Sequence, residues 1–205
     1  MPLWGTTHDS AANKPKWLPN DADSPYDKTK VYATESGWVA RGAATGNGNA
    51  DADPEILVAI GGLAGATASL GLKHPTMSNY RIVTSTAHGA SNNIVFEITW
   101  DESVTYTAGS AATLLLTAGA GSNVTATATH LNAVALADGG TGNTLRFTAT
   151  SSQATTYDLA NNVAMGNRAD LKDTVSGTAI ELASGKFTSA VKTAISYSQI
   201  TIAAP

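Results

Sequence analysis

The chain of 205 residues contains no cysteine, which excludes disulfide bonds, thiolate catalysis and cysteine-ligated metal and leaves stability to packing and hydrogen bonding. Charge is scarce as well: 14% of residues are charged, against roughly 25% in a typical soluble protein. The 12 basic residues are scattered among 16 acidic ones and form no stripe that would neutralise phosphates, so a nucleic-acid partner is not expected. No membrane span is expected either. The longest apolar run, ILVAIGGLAGATASLGL from Ile56 to Leu72, is interrupted by Gly, Ser and Thr and reads as a strand followed by a Gly/Ala-rich connector. The opening MPLWGTTHDSAANKPKW lacks the basic and apolar regions of a cleaved secretion signal, so export by that route is not expected. Ala, Thr, Gly, Ser and Asn make up the bulk, a composition suited to strands and turns.

Three regions follow from the pattern. Residues 1–55 are rich in Pro, Asn, Asp, Lys and Gly and show no sustained period, yet carry Trp4, Trp17, Tyr26, Tyr32 and Trp38. A solvated tail rarely carries so much aromatic surface, so this region reads as an extended arm whose aromatics anchor it, either on its own domain or on a partner. Within it, KVYATESGWVARG has the form of a short hairpin with Ser36 and Gly37 at the turn. Residues 56–79 hold the strand and connector. From residue 80 to 205, short β-rich runs alternate with Gly, Asn, Ser and Asp turns, the pattern of an all-β antiparallel sandwich or barrel. The runs are YRIVTS, NIVFEITW, SVTYT, ATLLLTA, NVTATATHL, NTLRFTAT, TAIEL and AISYSQITIA.

The stretch NIVFEITWDESVTYTAG shows the geometry best. Ile94, Phe96, Ile98, Trp100, Val104 and Tyr106 fall on one face, and Glu97, Thr99, Asp101, Thr105 and Thr107 on the other. Glu102 then lands on the apolar face, where an unpaired carboxylate is costly, so a bulge at residues 101–103 is expected to turn it outward and make the two acids a corner. Other polar clusters are candidate sites. GNGNADADPE spaces Asn49, Asp51, Asp53 and Glu55 like calcium ligands but lacks the glycine and glutamate of an EF-hand loop, so a solvated turn is expected. DLANNVAMGNRADLKD likewise reads as turns. The four histidines, His8, His74, His88 and His130, have no zinc spacing, and no Gly-x-Ser-x-Gly elbow marks a nucleophile. No catalytic, cofactor or metal site is therefore expected, and the chain reads as a protein that is not an enzyme.

Two resemblances add to this. NNIVFEITWDESVTYT, ATLLLTAG, NTLRFTAT and NNVAMGNRADL together resemble the bacterial immunoglobulin-like modules of surface and adhesion proteins, over roughly residues 80 to 205. That resemblance implies an Ig-like sandwich and says little about function. MPLWGTTHDSAANKPKWLPND, KVYATESGWVARG and EILVAIGGL resemble the N-terminal part of small virion structural proteins of T4-like tailed phages, the cyanophage type above all, over roughly residues 1 to 63. It implies a structural protein on the virion, assembled in the host cytoplasm, with the major capsid protein and neighbouring copies of itself as partners. A capsid decoration or cement protein gripping the head through Trp4, Trp17, Tyr26, Tyr32 and Trp38 is the expectation. The alternative is a tail or surface adhesion module binding host carbohydrate.

Overall fold

The structure, a computed structural model, describes residues 30–41, 53–64, 75–84, 93–151, 153–180 and 187–202. Among the described residues it is all-β apart from one short α-helix and a 3-10 turn at Arg168–Asp170. The strands are β1 (Val31–Thr34), β2 (Gly37–Ala40), β3 (Glu55–Ala59), β4 (Met77–Ile82), β5 (Asn93–Tyr106), β6 (Thr113–Ala118), β7 (Val124–Leu131), β8 (Val134–Ala135), β9 (Thr141–Thr150), β10 (Thr156–Leu159), β11 (Leu171–Asp173) and β12 (Ile200–Thr201), with helix α1 at Ser189–Ala194. Among the described residues they form one twelve-stranded sheet in the order β12-β10-β6-β7-β9-β5-β1-β2-β3, with β4 and β11 also pairing on β5 and β8 on β7.

β5 organises this arrangement. Its first half pairs antiparallel with β4 on one side and β9 on the other, and its second half pairs with β11 and β9, the ladder to β9 breaking between Thr99 and Val104. The expected bulge is there, and it lets one 14-residue strand serve two pairings. Ile94, Phe96, Ile98, Trp100, Val104 and Tyr106 all point into the main core, as the alternation requires. Phe96 stacks on Phe147 of β9 with ring centroids 5.2 Å apart. Each such buried ring contributes roughly 2–3 kcal/mol of transfer free energy.

The sheet curls over this core, so that its β10 wing returns towards β4. Residues 187–197 fill the gap between them. The backbone N–H of Tyr80 donates to the Ile195 carbonyl at 3.0 Å, and the Leu159 N–H donates to the Tyr197 hydroxyl at 2.7 Å. Lys192 bridges to Asp158 at 3.1 Å, and the Tyr80 and Tyr197 rings meet at 4.7 Å. Here the sequence expectation needs correcting: the first part of AISYSQITIA is the end of α1 and a turn, and only Ile200–Thr201 is strand. Thr188 caps α1 by accepting from the Val191 N–H at 3.3 Å, and Val191 and Ile195, four residues apart, turn one helical face to the core. Of TAIEL, the described part makes only a single bridge, Lys172 to Ala179.

Residues 30–41, the described part of KVYATESGWVARG, form a hairpin, with Glu35 and Ser36 at the turn and Gly37 already in β2. Gly37 has φ +130°, and a Cβ there would lie 2.0 Å from the Val58 carbonyl oxygen of β3, so backbone conformation and close approach both demand glycine. Together β1, β2 and β3 form a three-stranded extension with its own small core of Val31, Ala33, Trp38, Ala40, Leu63 and Ala64. Among the described residues its strands pair with the sandwich at one position, Ala33 parallel and opposite Glu102, and side-chain contacts add to this.

Candidate functional site

Of the aromatics expected to anchor a partner, Trp4, Trp17 and Tyr26 lie outside the described residues. Trp38 is 0% exposed at the centre of the extension's own core, and Tyr32, opposite Val39 on the other face of the hairpin, is half-buried. Trp38 thus takes the first of the two alternatives open to an arm residue: its apolar surface is consumed inside its own chain. Burial pushes the Tyr32 hydroxyl upward in pKa, and the nearby Arg41 charge opposes it.

The two acids at the corner of β5 have separate fates. Asp101 is fully buried and accepts from Thr76 twice, from its N–H at 2.7 Å and its hydroxyl at 2.6 Å, which ties the residues before β4 to the bulge. Glu102 was expected to point outward, and it does not: it is 1% exposed, and among the described residues neither carboxyl oxygen has a hydrogen-bond partner. The bulge turns its side chain away from the main core, but the docked hairpin covers that side. Glu102 lies against a cleft of about 320 Å³ between the two units, with Ala33, Glu35 and Ser36 on the hairpin side and Ser103, Asp173 and Thr174 on the sandwich side. Burial, reinforced by the charges of Asp101 and Asp173, pushes its carboxyl up to about 9, so at neutral pH it is a neutral acid. Asp173, also buried, accepts from the N–H groups of Val175 at 3.0 Å and Ser176 at 3.1 Å and from the Ser176 hydroxyl.

A second cleft, of about 310 Å³, opens where the other end of the hairpin meets the sandwich. Its floor follows from register. Asn79, Thr99 and Thr144 stand opposite one another across β4, β5 and β9, and Arg81, Glu97 and Arg146 form the next row. Glu97 accepts from Arg81 at 2.5 Å and from Arg146 at 2.7 and 2.9 Å. Burial pulls the Glu97 carboxyl up, but the two guanidiniums outweigh it and hold it below the usual range. From the hairpin, Lys30 and Arg41 overhang this floor. Arg41 donates to the side-chain oxygens of Asn132 and Asn143 and, at 3.2 Å, to the Thr144 hydroxyl, while its buried Nε has no partner among the described residues. Burial lowers the Arg41 pKa, offset in part by Tyr32 and Glu97.

Sequence reasoning did not single out any residue of this second cleft. Arg81, Glu97 and Arg146 do occupy polar positions of alternating strands, which was the available signal. Cross-strand register, which brings them into one row, was not readable. His130 is half-buried with Nδ1 3.0 Å from the Thr129 hydroxyl, and the other three histidines lie outside the described residues. Of the two clusters weighed for calcium, Asp53 and Glu55 are described in the first, and the second forms the turns between β10 and β11, with Asn162 and Asn167 in the left-handed region. Among the described residues no three acidic or imidazole side chains are grouped to hold a metal ion, and no helix is long and apolar enough to cross a membrane. No protein-family model matches the chain, and neither the curated proteins nor the solved structures contain a match to it.

Proposed function

We propose that the chain is a structural protein of a tailed-phage virion, a capsid decoration protein with no catalytic step, which binds the head through its N-terminal region and strengthens contacts between subunits. The observation that carries the reading is the position of β3. Among the described residues this strand stands last in the sheet order, and its sequence EILVA is apolar after Glu55. Ile56 is 55% exposed on it. A free apolar edge is usually shielded by charge, proline or a covering loop, because it invites a strand from another chain. The ladder to β2 is irregular between Trp38 and Val39, which limits the straight edge to a few residues.

Such an edge supports assembly through many weak contacts. Two or three added strand hydrogen bonds at about 1 kcal/mol each, with partial burial of Ile56, give a few kcal/mol per copy. One copy would bind weakly, but a lattice of copies resists separation because neighbours hold each one in place. Two of the three segments that resemble phage virion proteins, KVYATESGWVARG and EILVAIGGL, supply β1, β2 and β3; the third, MPLWGTTHDSAANKPKWLPND, lies outside the described residues.

The test is the copy number of the chain relative to the major capsid protein in purified particles, by quantitative mass spectrometry. A fixed ratio with hundreds of copies is the expected result. A handful of copies, in multiples of three or six, would overturn decoration in favour of a tail or fibre position.

A further inference from the structure

We propose that the cleft between the hairpin and the β4-β5-β9 face is a binding site for an oxyanion, a carboxylate, sulfate or phosphate group. Four cations line it, Lys30, Arg41, Arg81 and Arg146, against the single carboxylate of Glu97. This local excess of positive charge sits on a chain of net charge −4 with few basic residues. Holding the hairpin to the sandwich accounts for Arg41, whose Nη2 is engaged by Asn132, Asn143 and Thr144. It does not account for Lys30, which is exposed, or for Arg81, whose side chain is 62% exposed with only one bond to Glu97.

Glu97 has the role of a spacer. By accepting from both Arg81 and Arg146 it fixes two guanidiniums across one row of the sheet, and each keeps further N–H donors for a ligand. Arg41 adds a buried Nε without a partner among the described residues. Below these charges lie the Asn79 amide and the Thr99 and Thr144 hydroxyls, the last two 3.1 Å apart, which can bond hydroxyls beside an anionic group. The rim is strained. Asn132 and Ala133 have φ of 50° and 66° in the turn between β7 and β8, and an alanine in the left-handed region carries a cost that glycine would avoid. Among the described residues no aromatic side chain lines the cleft, so the recognition is by charge and hydrogen bonding rather than stacking.

This inference is independent of the assembly reading: copy number tests one and ligand binding the other. The experiment is titration of the full chain at low ionic strength with sodium sulfate, sodium glucuronate and glucose, followed by calorimetry and by amide shifts of β4, β5 and β9. The variants are Lys30→Gln and Arg81→Gln, both at exposed positions and both checked for fold by circular dichroism, with Lys172→Gln on β11 as a control. The expected result is saturable binding of sulfate or glucuronate but not glucose, weakened about tenfold in each of the two variants and unchanged in the control. Tighter binding of glucuronate assigns the anion to a sugar acid, and tighter binding of sulfate to a free inorganic anion; either keeps the site. No binding up to about 10 mM, equal binding of glucose, or binding undiminished in both variants overturns it.

Discussion

Replacing Glu102 by glutamine should stabilise the protein, increasingly so as pH rises. The neutral amide has nearly the shape of the protonated acid, so packing under the hairpin is kept while the ionisable proton is removed. In the unfolded chain the carboxyl titrates near its ordinary value of 4.5, whereas in the fold burial, Asp101 and Asp173 raise it to about 9. Because the folded value is the higher one, the stability contributed by the neutral acid is fully present below about 4.5 and is lost progressively as pH rises towards 9. Between those limits the slope is about 1.4 kcal/mol per pH unit, so from pH 5 to pH 8 the wild type should lose roughly 4 kcal/mol that Glu102→Gln retains. Any constant penalty for burying the unpaired amide shifts both measurements equally and cancels in the difference. Urea unfolding followed by tryptophan fluorescence, with Trp38 and Trp100 both buried, reads this directly at each pH. A stability difference between variant and wild type that stays flat from pH 5 to pH 8 would refute the reasoning, since it means Glu102 is ionised and solvated in the folded protein.

Two further substitutions test the extension. Gly37→Ala places a methyl group 2.0 Å from the Val58 carbonyl at a φ of +130°, and should cost more than about 2 kcal/mol, seen as lost hydrogen-exchange protection across β1 to β3 while the main core stays protected. Ile56→Lys, on β3, should change the stability of the isolated protein by no more than about 0.5 kcal/mol yet weaken its retention on particles at least about tenfold, measured by co-sedimentation with stripped capsids.

How much of this was legible in the sequence is clearest along β5. The inward face, from Ile94 to Tyr106, was readable because a period of two depends only on local spacing. The outward face was misjudged. Glu97, Thr99 and Asp101 alternate as solvent-facing residues do, but all three are buried, because Arg81, Arg146 and Thr76 cover them from distant parts of the chain. Glu102 was misjudged for the same reason: the bulge was predictable from a charge on the wrong face, whereas the hairpin that closes over it lies about seventy residues earlier and meets β5 through a single pair. Strands β10 and β11 were missed because they are short and carry Asp158 and Lys172 at their centres. The helix in place of a strand near the C-terminus reflects a Thr188 cap and a four-residue apolar spacing that competed with β-branched composition.

These contacts make the seam between hairpin and sandwich the part of the structure where opening should begin. The main core is a single cluster fed by eight of the twelve strands, whereas among the described residues the hairpin is held by one parallel pair, the Arg41 bonds and Val175 packing on its small core. A neutral Glu102 belongs to the closed state, because ionising it in place would set an unpaired carboxylate beside Asp101 and Asp173. Opening the seam admits water and allows that ionisation, so each rise in pH favours the open state through the same proton that the glutamine variant lacks. Exchange protection in β1 and β2 should therefore fall from pH 6 to pH 8 by more than the intrinsic rise in exchange rate, and the excess should vanish in Glu102→Gln. If the excess persists in the variant, the seam opens for reasons unrelated to Glu102, and the coupling between this buried acid and hairpin docking is wrong.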